Sequence, residues 1–385
     1  MKFRRVDDLP AYVFATVDAR KRELRREGRD VIDLGFGNPD IPSPEAAVEK
    51  LREAAAKTAN HRYSASRGIG QLRAAVCELY ERRFGVRLDP ETEVVNTIGA
   101  KEGLAHLMWV LLEPGDVAVV PTPSYPIHLV APRLAGAGVV AAPVEAGVDA
   151  LAEAAVAAGA RVLIVSYPHN PTTTVVTLAE LQRLVDAARE HDFVIVHDFA
   201  YADISFDGHE PPSILQAEGA AECAVELYSL TKSFSMAGWR VGFVVGRRDV
   251  VQALAKLKSY LDYGTFQPIQ IASIVALRGA AAYPAEVCEI YRRRRDALCA
   301  GLDRAGWHVD PPRGTMFVWA PIPEPMRDSG SLECALRLAD SAGVAVSPGI
   351  GFGAGGDGHV RFALVENEQR IGQATRAIRK LLQEL

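Results

Sequence analysis

Short runs of β-branched residues alternate with helix-like stretches through the middle of this 385-residue chain. The strand-like runs lie at 94–95, 117–120, 139–140, 162–166, 194–197 and 241–245. Strands separated by helices form βαβ units, in which parallel strands share one sheet and helices cover both of its faces. The pattern therefore predicts an α/β fold with a mostly parallel central sheet. In such folds the reactive side chains gather at the carboxyl ends of the strands.

The character of the sequence changes around the proline-rich stretches at 311–312 and 321–325. A helix-like stretch, a short strand, a glycine-rich loop and a final helix follow them, which indicates a smaller α+β domain. The predicted division has three parts. Residues 1–40 form an N-terminal segment that packs against the small domain, 41–285 form the large domain, and 286–385 form the small C-terminal domain.

Charge and apolar patterning narrow the possible partners of the chain. The net charge is −5, so the chain has no general attraction to nucleic acid or anionic lipid. The arginine run at 292–295 is interpreted as a solvated helix face. No stretch has the roughly 18 apolar residues of a membrane span, and the first residues lack the core of a signal peptide. The five cysteines are scattered, which predicts reduced thiols and a cytoplasmic protein without a zinc or other metal site.

Residues 229–242 bring together an amine, hydroxyls and a guanidinium, with Lys232 as the amine and Arg240 as the guanidinium. Pyridoxal phosphate requires this combination, because its aldehyde forms an imine with a lysine and its phosphate needs several donors. Lysine loses its proton readily in a dry, electropositive pocket. A solvated lysine beside an ordinary loop is the alternative. The further residues that such a cofactor needs favour the first interpretation.

A buried strand at 193–198 ends in Asp198, and Tyr201 follows three residues later. An aspartate there can pair with the pyridine nitrogen of the cofactor and keep it protonated, while the tyrosine donates to the phenolic oxygen. Two alternatives remain open. Asp198 can cap the next helix, or it can join His197 and Asp203 in a metal site.

Three other strand ends offer polar or aromatic groups. Asn170 lies between two prolines that hold its amide rigidly, although such a sequence is often only a turn. Tyr125 can stack on the pyridine ring or be a core residue. The strand-to-helix turn at 97–103 makes an anion site in which Ala100 and Lys101 give their N–H groups to the phosphate, but such turns are common.

Arg361 lies in a strand after the glycine-rich loop at 349–358. A strand-held arginine can clamp a substrate carboxylate with two parallel hydrogen bonds, and a structural ion pair is the alternative. The same loop contains Gly-Phe-Gly-Ala-Gly-Gly at 351–356, which matches the dinucleotide-binding pattern formally. We interpret that match as false, because it does not open a helix within a βαβ unit.

Seven segments carry a resemblance to a known family: 37–40, 63–68, 98–106, 124–128, 197–203, 258–264 and 346–353. On these segments the chain resembles the pyridoxal-phosphate-dependent aminotransferases of fold type I, from about Val6 to the C-terminus. Within that superfamily it is most similar to the bacterial glutamate–pyruvate (alanine) aminotransferases. The fold implied is a mostly parallel central sheet with helices on both faces, plus a smaller α+β domain.

The resemblance implies a role for each candidate residue. Lys232 forms the imine with pyridoxal phosphate and carries the proton, Asp198 pairs with the ring nitrogen, and Tyr125 stacks on the ring. The other implied contacts are Tyr201 and Asn170 to the phenolic oxygen; Ser229, Arg240, Ala100 and Lys101 to the phosphate; and Arg361, Asn170 and the Gly37 backbone to the substrate. Tyr63 reaches the phosphate of the neighbouring subunit, which implies a homodimer with shared active sites. Relatives tend to carry serine at Ala100, so one hydroxyl contact to the phosphate is missing here.

The activity implied is a ping-pong transamination between an L-amino acid and a 2-oxo acid, with alanine and 2-oxoglutarate as the pair. Two other classes remain open. One is a different reaction of the same cofactor (oxidation, elimination, cyclisation) or transamination of another amino acid such as LL-diaminopimelate. The other is the sensor domain of a transcription regulator, which is disfavoured because the resemblance begins near Val6 and leaves no DNA-binding domain ahead of it.

Overall fold

The computed structural model describes residues 2–7, 9 and 12–385. The strands are β1 (Ile32–Asp33), β2 (Val94–Thr97), β3 (Val117–Thr122), β4 (Gly138–Pro143), β5 (Val162–Val165), β6 (Val194–Asp198), β7 (Ala224–Ser229), β8 (Gly242–Gly246), β9 (Phe317–Pro321), β10 (Val344–Ala345), β11 (Ser347–Pro348) and β12 (His359–Ala363). The helices are α1 (Arg4–Asp7), α2 (Phe14–Arg26), α3 (Glu45–Ala55), α4 (Gly70–Phe84), α5 (Ala100–Leu111), α6 (Pro126–Ala135), α7 (Gly147–Ala157), α8 (Leu178–His191), α9 (Ala220–Cys223), α10 (Leu230–Ser233), α11 (Arg248–Leu261), α12 (Gln267–Gly279), α13 (Tyr283–Arg304), α14 (Gly330–Ala342) and α15 (Glu368–Gln383).

The predicted α/β architecture is confirmed. Within the described residues the central sheet has seven strands in the order β2-β8-β7-β6-β5-β3-β4, and β8 alone runs antiparallel to its two neighbours. The inner strands β5, β7 and β8 are fully buried, as expected for a sheet covered on both faces. Because β5, β6 and β7 are parallel, their carboxyl ends lie at the same edge of the sheet.

Strand β7 is absent from the sequence prediction, and Glu226 explains why. Its carboxylate interrupts the apolar run, yet the side chain is fully buried. Hydrogen bonds from Tyr80 (2.8 Å), Ser213 (2.8 Å), His197 (2.8 Å) and the Ile214 N–H (2.9 Å) satisfy both oxygens. A buried carboxylate that accepts several hydrogen bonds is tolerated inside a sheet, but those partners cannot be identified from sequence spacing.

The C-terminal part forms a second layer around its own apolar core. Strands β11, β12 and β9 make an antiparallel sheet, and β1 pairs in parallel with β10, which ties the N-terminal segment to this part. Side chains from Val17 to Leu34 share one hydrophobic cluster with α13, α14 and α15. This shared core supports the proposed division at residues 40 and 285, which stays a proposal.

The interpretation of the arginine run as a solvated helix face is wrong for half of it. Arg294 and Arg295 are only 6% and 4% exposed, because they lie three and four residues after the buried Tyr291 on α13. Their charges are compensated by Asp40 and Asp207, at 2.7 and 2.5 Å. No single helix in the described part of the chain is long and apolar enough to cross a membrane; α12 and α13 pass that test only as a pair, bent by 80°.

Candidate active site

A cavity of about 760 Å³ lies at the carboxyl edge of the central sheet, between the sheet and the C-terminal part. Its lining includes Gly37, Ala100, Lys101, Tyr125, Asn170, Asp198, Tyr201, Ser229, Lys232, Arg240 and Arg361, all of them candidates from the sequence. The fold therefore brings together side chains that are separated by up to 324 positions (361 minus 37) along the chain. Tyr63 is the candidate that lies elsewhere: its side chain is 83% exposed, outside this cavity.

Lys232 is held on a short helix directly after β7. Ser229 caps this helix, since its Oγ accepts a hydrogen bond from the Thr231 N–H at 3.2 Å. The Lys232 Nζ donates to the Gly37 carbonyl at 2.5 Å. Burial, together with the positive charges of Arg361 and Arg240, lowers the pKa of Lys232 to about 7. A large share of this amine is therefore unprotonated and nucleophilic near neutral pH.

Asp198 ends β6 and points into the cavity. Its Oδ2 accepts a hydrogen bond from His128 Nε2 at 2.9 Å, and the opposite ring nitrogen lies 2.8 Å from the Ser124 hydroxyl. A carboxylate can only accept, so Nε2 carries a proton and donates to Asp198, and the Ser124 hydroxyl can donate to Nδ1. Sequence reasoning missed His128. The signal was available, because His128 lies one turn of helix after Tyr125, near the start of α6.

Asn170 links two other candidates. Its Nδ2 donates to the Tyr201 hydroxyl at 3.4 Å, and its Oδ1 accepts from Arg361 at 2.7 Å. These contacts fix which way the amide faces. Burial raises the pKa of Tyr201 well above its ordinary value, so its phenol stays protonated and can donate to an oxygen in the cavity.

Arg361 is 7% exposed and lies between the rings of Phe317 and Phe352, with its guanidinium carbon 3.9 and 4.6 Å from their centroids. Burial lowers its pKa to about 10, yet it remains charged at neutral pH. Among the described residues its buried Nε has no hydrogen-bond partner. An arginine with a free donor at the wall of a cavity is suited to receive a carboxylate. Gly37 lies beside it, and a Cβ there would meet the Phe317 ring at 2.6 Å.

The start of α5 forms a cradle for an anion. Gly99 precedes the helix with φ of +78°, a conformation that favours glycine. Gly242 of β8 lies so close that a Cβ would stand 2.6 Å from the Ala100 nitrogen. The first amides of a helix have no partner within it and point outward. The Arg240 guanidinium lies directly against Gly99, which adds a positive charge at the same place.

Tyr125 directly precedes α6, and the Nζ of Lys101 lies 5.7 Å from the centroid of its ring. Burial raises the pKa of its phenol, so the ring stays neutral. On the outside of the molecule, the exposed Tyr63 packs against Tyr263 with 4.5 Å between ring centroids.

The model of the family "Aminotransferase class I and II" matches residues 29–378, which cover the cavity and nearly all of the chain. The chain belongs to the class I and II aminotransferases. It is 49% identical to the glutamate–pyruvate aminotransferase AlaC of Escherichia coli, over 99% of this chain and 93% of AlaC. An LL-diaminopimelate aminotransferase of Moorella thermoacetica is 41% identical, with 98% of each chain covered.

The solved structures agree with the family. A mutant of the aspartate aminotransferase from Thermus thermophilus matches with a TM-score of 0.92 and 32% identity, over 99% of each chain. The protein is therefore an aminotransferase of the fold type I class that depends on pyridoxal phosphate. The donors of the cavity fit this cofactor: a low-pKa amine, and an anion cradle that a Cβ at Gly242 would crowd and that the Arg240 guanidinium adjoins.

The lowered pKa of Lys232 predicts how the stripped aminotransferase takes up its cofactor. The neutral amine becomes more abundant as pH rises, so the rate of covalent loading should rise with pH and level off above about 7. Replacing Arg361 by methionine removes one of the positive charges that lower this pKa, and the midpoint should move to higher pH. Stopped-flow absorbance measures the rate, with the exposed-arginine variant Arg293→Gln as control. A loading rate that still climbs at pH 10 would contradict the prediction.

Proposed function

We propose that this aminotransferase moves an amino group between alanine and 2-oxoglutarate, yielding pyruvate and glutamate, by a ping-pong mechanism. The observation that carries the proposal is the 49% identity to the glutamate–pyruvate aminotransferase of E. coli over 99% of the chain. In a ping-pong reaction one cavity binds both substrates in turn. Arg361 at its wall then binds the α-carboxylate that amino acid and oxo acid share.

The protein's own groups have distinct tasks in this proposal. When bound, pyridoxal phosphate draws in the electron pair released as the substrate Cα–H bond breaks. Lys232 would hold the cofactor covalently and, once freed, accept the Cα proton and return it as a general acid. Asp198, oriented by its hydrogen bond to His128, would hold a proton at the ring nitrogen. Tyr201 and Asn170 would donate to the phenolic oxygen.

The remaining donors would bind and orient. The amides of Ala100 and Lys101, the Ser229 hydroxyl and Arg240 would hold the phosphate at the start of α5. Tyr125 would cover one face of the pyridine ring. Arg361 would orient the substrate through its carboxylate, with help from Asn170 and the Gly37 backbone. Each contact places the Cα proton near Lys232, and fixed placement of this kind lowers the barrier of the reaction.

Half-reactions with single amino acids test the choice of substrate. The holoenzyme is mixed with alanine, glutamate, aspartate or LL-diaminopimelate, and the absorbance of the bound cofactor reports conversion to its amino form. Rapid conversion by alanine and glutamate supports the proposal. LL-diaminopimelate is the second candidate, because relatives with that activity reach 41% identity over 98% of the chain. Conversion by LL-diaminopimelate but not by alanine would replace the first candidate with the second, and oxygen consumption would indicate an oxidase.

We further propose that two copies of the chain form a dimer through an exposed aromatic patch. The patch comprises Tyr63, Tyr260, Leu261, Tyr263 and Phe266, of which Tyr63 and Tyr260 are 83% and 84% exposed. A contiguous apolar surface of this kind marks an interaction site. In this proposal Tyr63 crosses the interface and its hydroxyl reaches the phosphate in the neighbouring subunit. The cytoplasmic location stays a prediction from the cysteine pattern.

Hybrid dimers test whether the sites are shared. Lys232→Ala chains and Tyr63→Ala chains, co-expressed with different tags, form a hybrid in which one site retains both native residues. Its cofactor affinity should match the wild type, while the Tyr63→Ala homodimer should bind about tenfold more weakly through loss of one hydrogen bond to a charged group. Light scattering that gives the mass of a single chain, or a hybrid no better than its Tyr63→Ala parent, would contradict the shared site.

A further inference from the structure

Lys258 is a charged residue that the proposed reaction does not use, although its side chain is 0% exposed. Its Nζ lies 2.9 Å from Glu102 Oε1 and 2.9 Å from Asp262 Oδ2. Glu102, His106 and Asp262 have ligand atoms within 4.8 Å of one another, an arrangement that could hold a metal ion. The ammonium of Lys258 contacts two of these three residues, Glu102 and Asp262. A fully buried ammonium is costly, so the two carboxylates must compensate it.

Glu102 connects this cluster to the start of α5. It is the third residue of the helix, and its Oε2 accepts a hydrogen bond from the Ile98 N–H at 2.9 Å. This bond closes the turn immediately before Ala100. Burial alone would raise the pKa of Glu102, but His106 and Lys258 outweigh that effect and hold it below its ordinary value. The turn is thus held by the ionised carboxylate of Glu102, and His106 and Lys258 stabilise that ionised form.

Asp262 connects the same cluster to the segment that carries Tyr63. Its Oδ1 accepts from the Gly264 N–H at 2.6 Å, and its carbonyl accepts from the Ser66 hydroxyl at 2.8 Å. The neighbouring Tyr263 packs on Tyr63. One ammonium therefore ties the helix start of the cradle to the loop of the exposed aromatic patch. Lys258 and Glu102 themselves are 156 positions apart along the chain.

We propose that Lys258 is a positioning residue for the cofactor phosphate. It keeps Glu102 ionised and fixed, so that the first amides of α5 point at the phosphate, and it neutralises carboxylates that would otherwise repel that dianion. The inference rests on the proposed placement of the phosphate at α5. Lys258 itself would touch neither cofactor nor substrate and would act through Glu102 and Asp262.

The test compares two ligands of the stripped protein, pyridoxal phosphate and pyridoxal, which lacks the phosphate. Lys258→Met keeps an unbranched side chain, one atom shorter, and removes its charge. We expect the dissociation constant of pyridoxal phosphate to rise about tenfold or more, the size of one lost charged hydrogen bond, and that of pyridoxal to change less than about twofold. Absorbance titration measures both constants. Lys256→Met, an exposed lysine on the same helix, is the matched control and should change neither.

A double variant sharpens the result. In Lys258→Met/Glu102→Gln the amide oxygen still accepts from the Ile98 N–H, and the carboxylate next to the cradle is gone, so that only Asp262 lacks its cation. Pyridoxal phosphate should therefore bind more tightly than to Lys258→Met alone. If Lys258→Met does not fold, the double variant is compared with the wild type, and pyridoxal phosphate should still weaken more than pyridoxal. Equal weakening of both ligands, or a double variant weaker than the single one, would overturn the inference. Arg240→Gln distinguishes the two proposals: if it leaves pyridoxal phosphate binding unchanged, the phosphate placement itself is wrong.

Discussion

Replacing Lys232 with alanine should lower kcat by about 10⁴-fold or more, because one side chain performs both the covalent and the proton-transfer task. The cavity offers no obvious replacement among the described residues. Lys101 Nζ lies over the Tyr125 ring, and Lys21 is held in ion pairs with Asp18 and Asp33. The two arginines of the lining, Arg240 and Arg361, do not lose their protons near neutral pH. The variant should still bind pyridoxal phosphate through the anion cradle.

Three measurements separate the chemistry from folding. Steady-state rates with alanine and 2-oxoglutarate give kcat, and thermal unfolding confirms the fold of Lys232→Ala. Borohydride reduction with peptide mapping should label position 232 in the wild type and no lysine in the variant. Lys256→Ala serves as the exposed control. A variant that retains more than about one hundredth of wild-type kcat would show that another group moves the proton.

The candidate residues could be predicted because most of them lie at the ends of recognisable elements. Asp198 ends a valine-rich strand, and Ala100 begins the helix that follows another predicted strand. A parallel sheet collects such ends at one edge regardless of their separation in sequence. Strand alternation and residue chemistry, together with the family resemblance, were therefore sufficient to name the lining of one cavity before any distance was known.

The residues that escaped prediction act through other side chains. His128 matters through its bond to Asp198, and Lys258 through Glu102 and Asp262. No spacing rule relates residues 70 or 156 positions apart, so only the folded chain brings such pairs into view. Glu226 shows the same limit at the level of the fold, since its distant donors allow a carboxylate inside β7.

The arginine run at 292–295 shows how a charge pattern can mispredict burial. A charge run usually indicates a solvated face, yet Arg294 and Arg295 turn inward because Asp40 and Asp207 lie within hydrogen-bond reach. The helical period placed both residues beside the buried Tyr291, and that geometric signal should have outweighed the charge pattern. Sequence patterns predict burial well for apolar residues and poorly for charged residues whose partners come from another element.

Replacing Arg361 with glutamine should lower kcat/KM for alanine by about 10²–10³-fold, the usual cost of removing one member of a buried charged pair. The guanidinium is desolvated and stacked between Phe317 and Phe352, so a substrate carboxylate meets a preoriented charge with little competing water. KM should rise, and kcat should also fall, because Asn170 loses the donor that orients its amide.

Ethylamine, which is alanine with its carboxyl group replaced by hydrogen, tests the cause of this loss. Its half-reaction should be slow in the wild type and nearly unchanged in Arg361→Gln, so that the preference for alanine over ethylamine collapses. Arg361→Lys should recover only part of that preference, since an ammonium keeps the charge without the planar fork. Arg293→Gln, an exposed arginine paired with Glu368, is the control. Equal losses for alanine and ethylamine would place the contribution of Arg361 in orienting Asn170 rather than in binding the carboxylate.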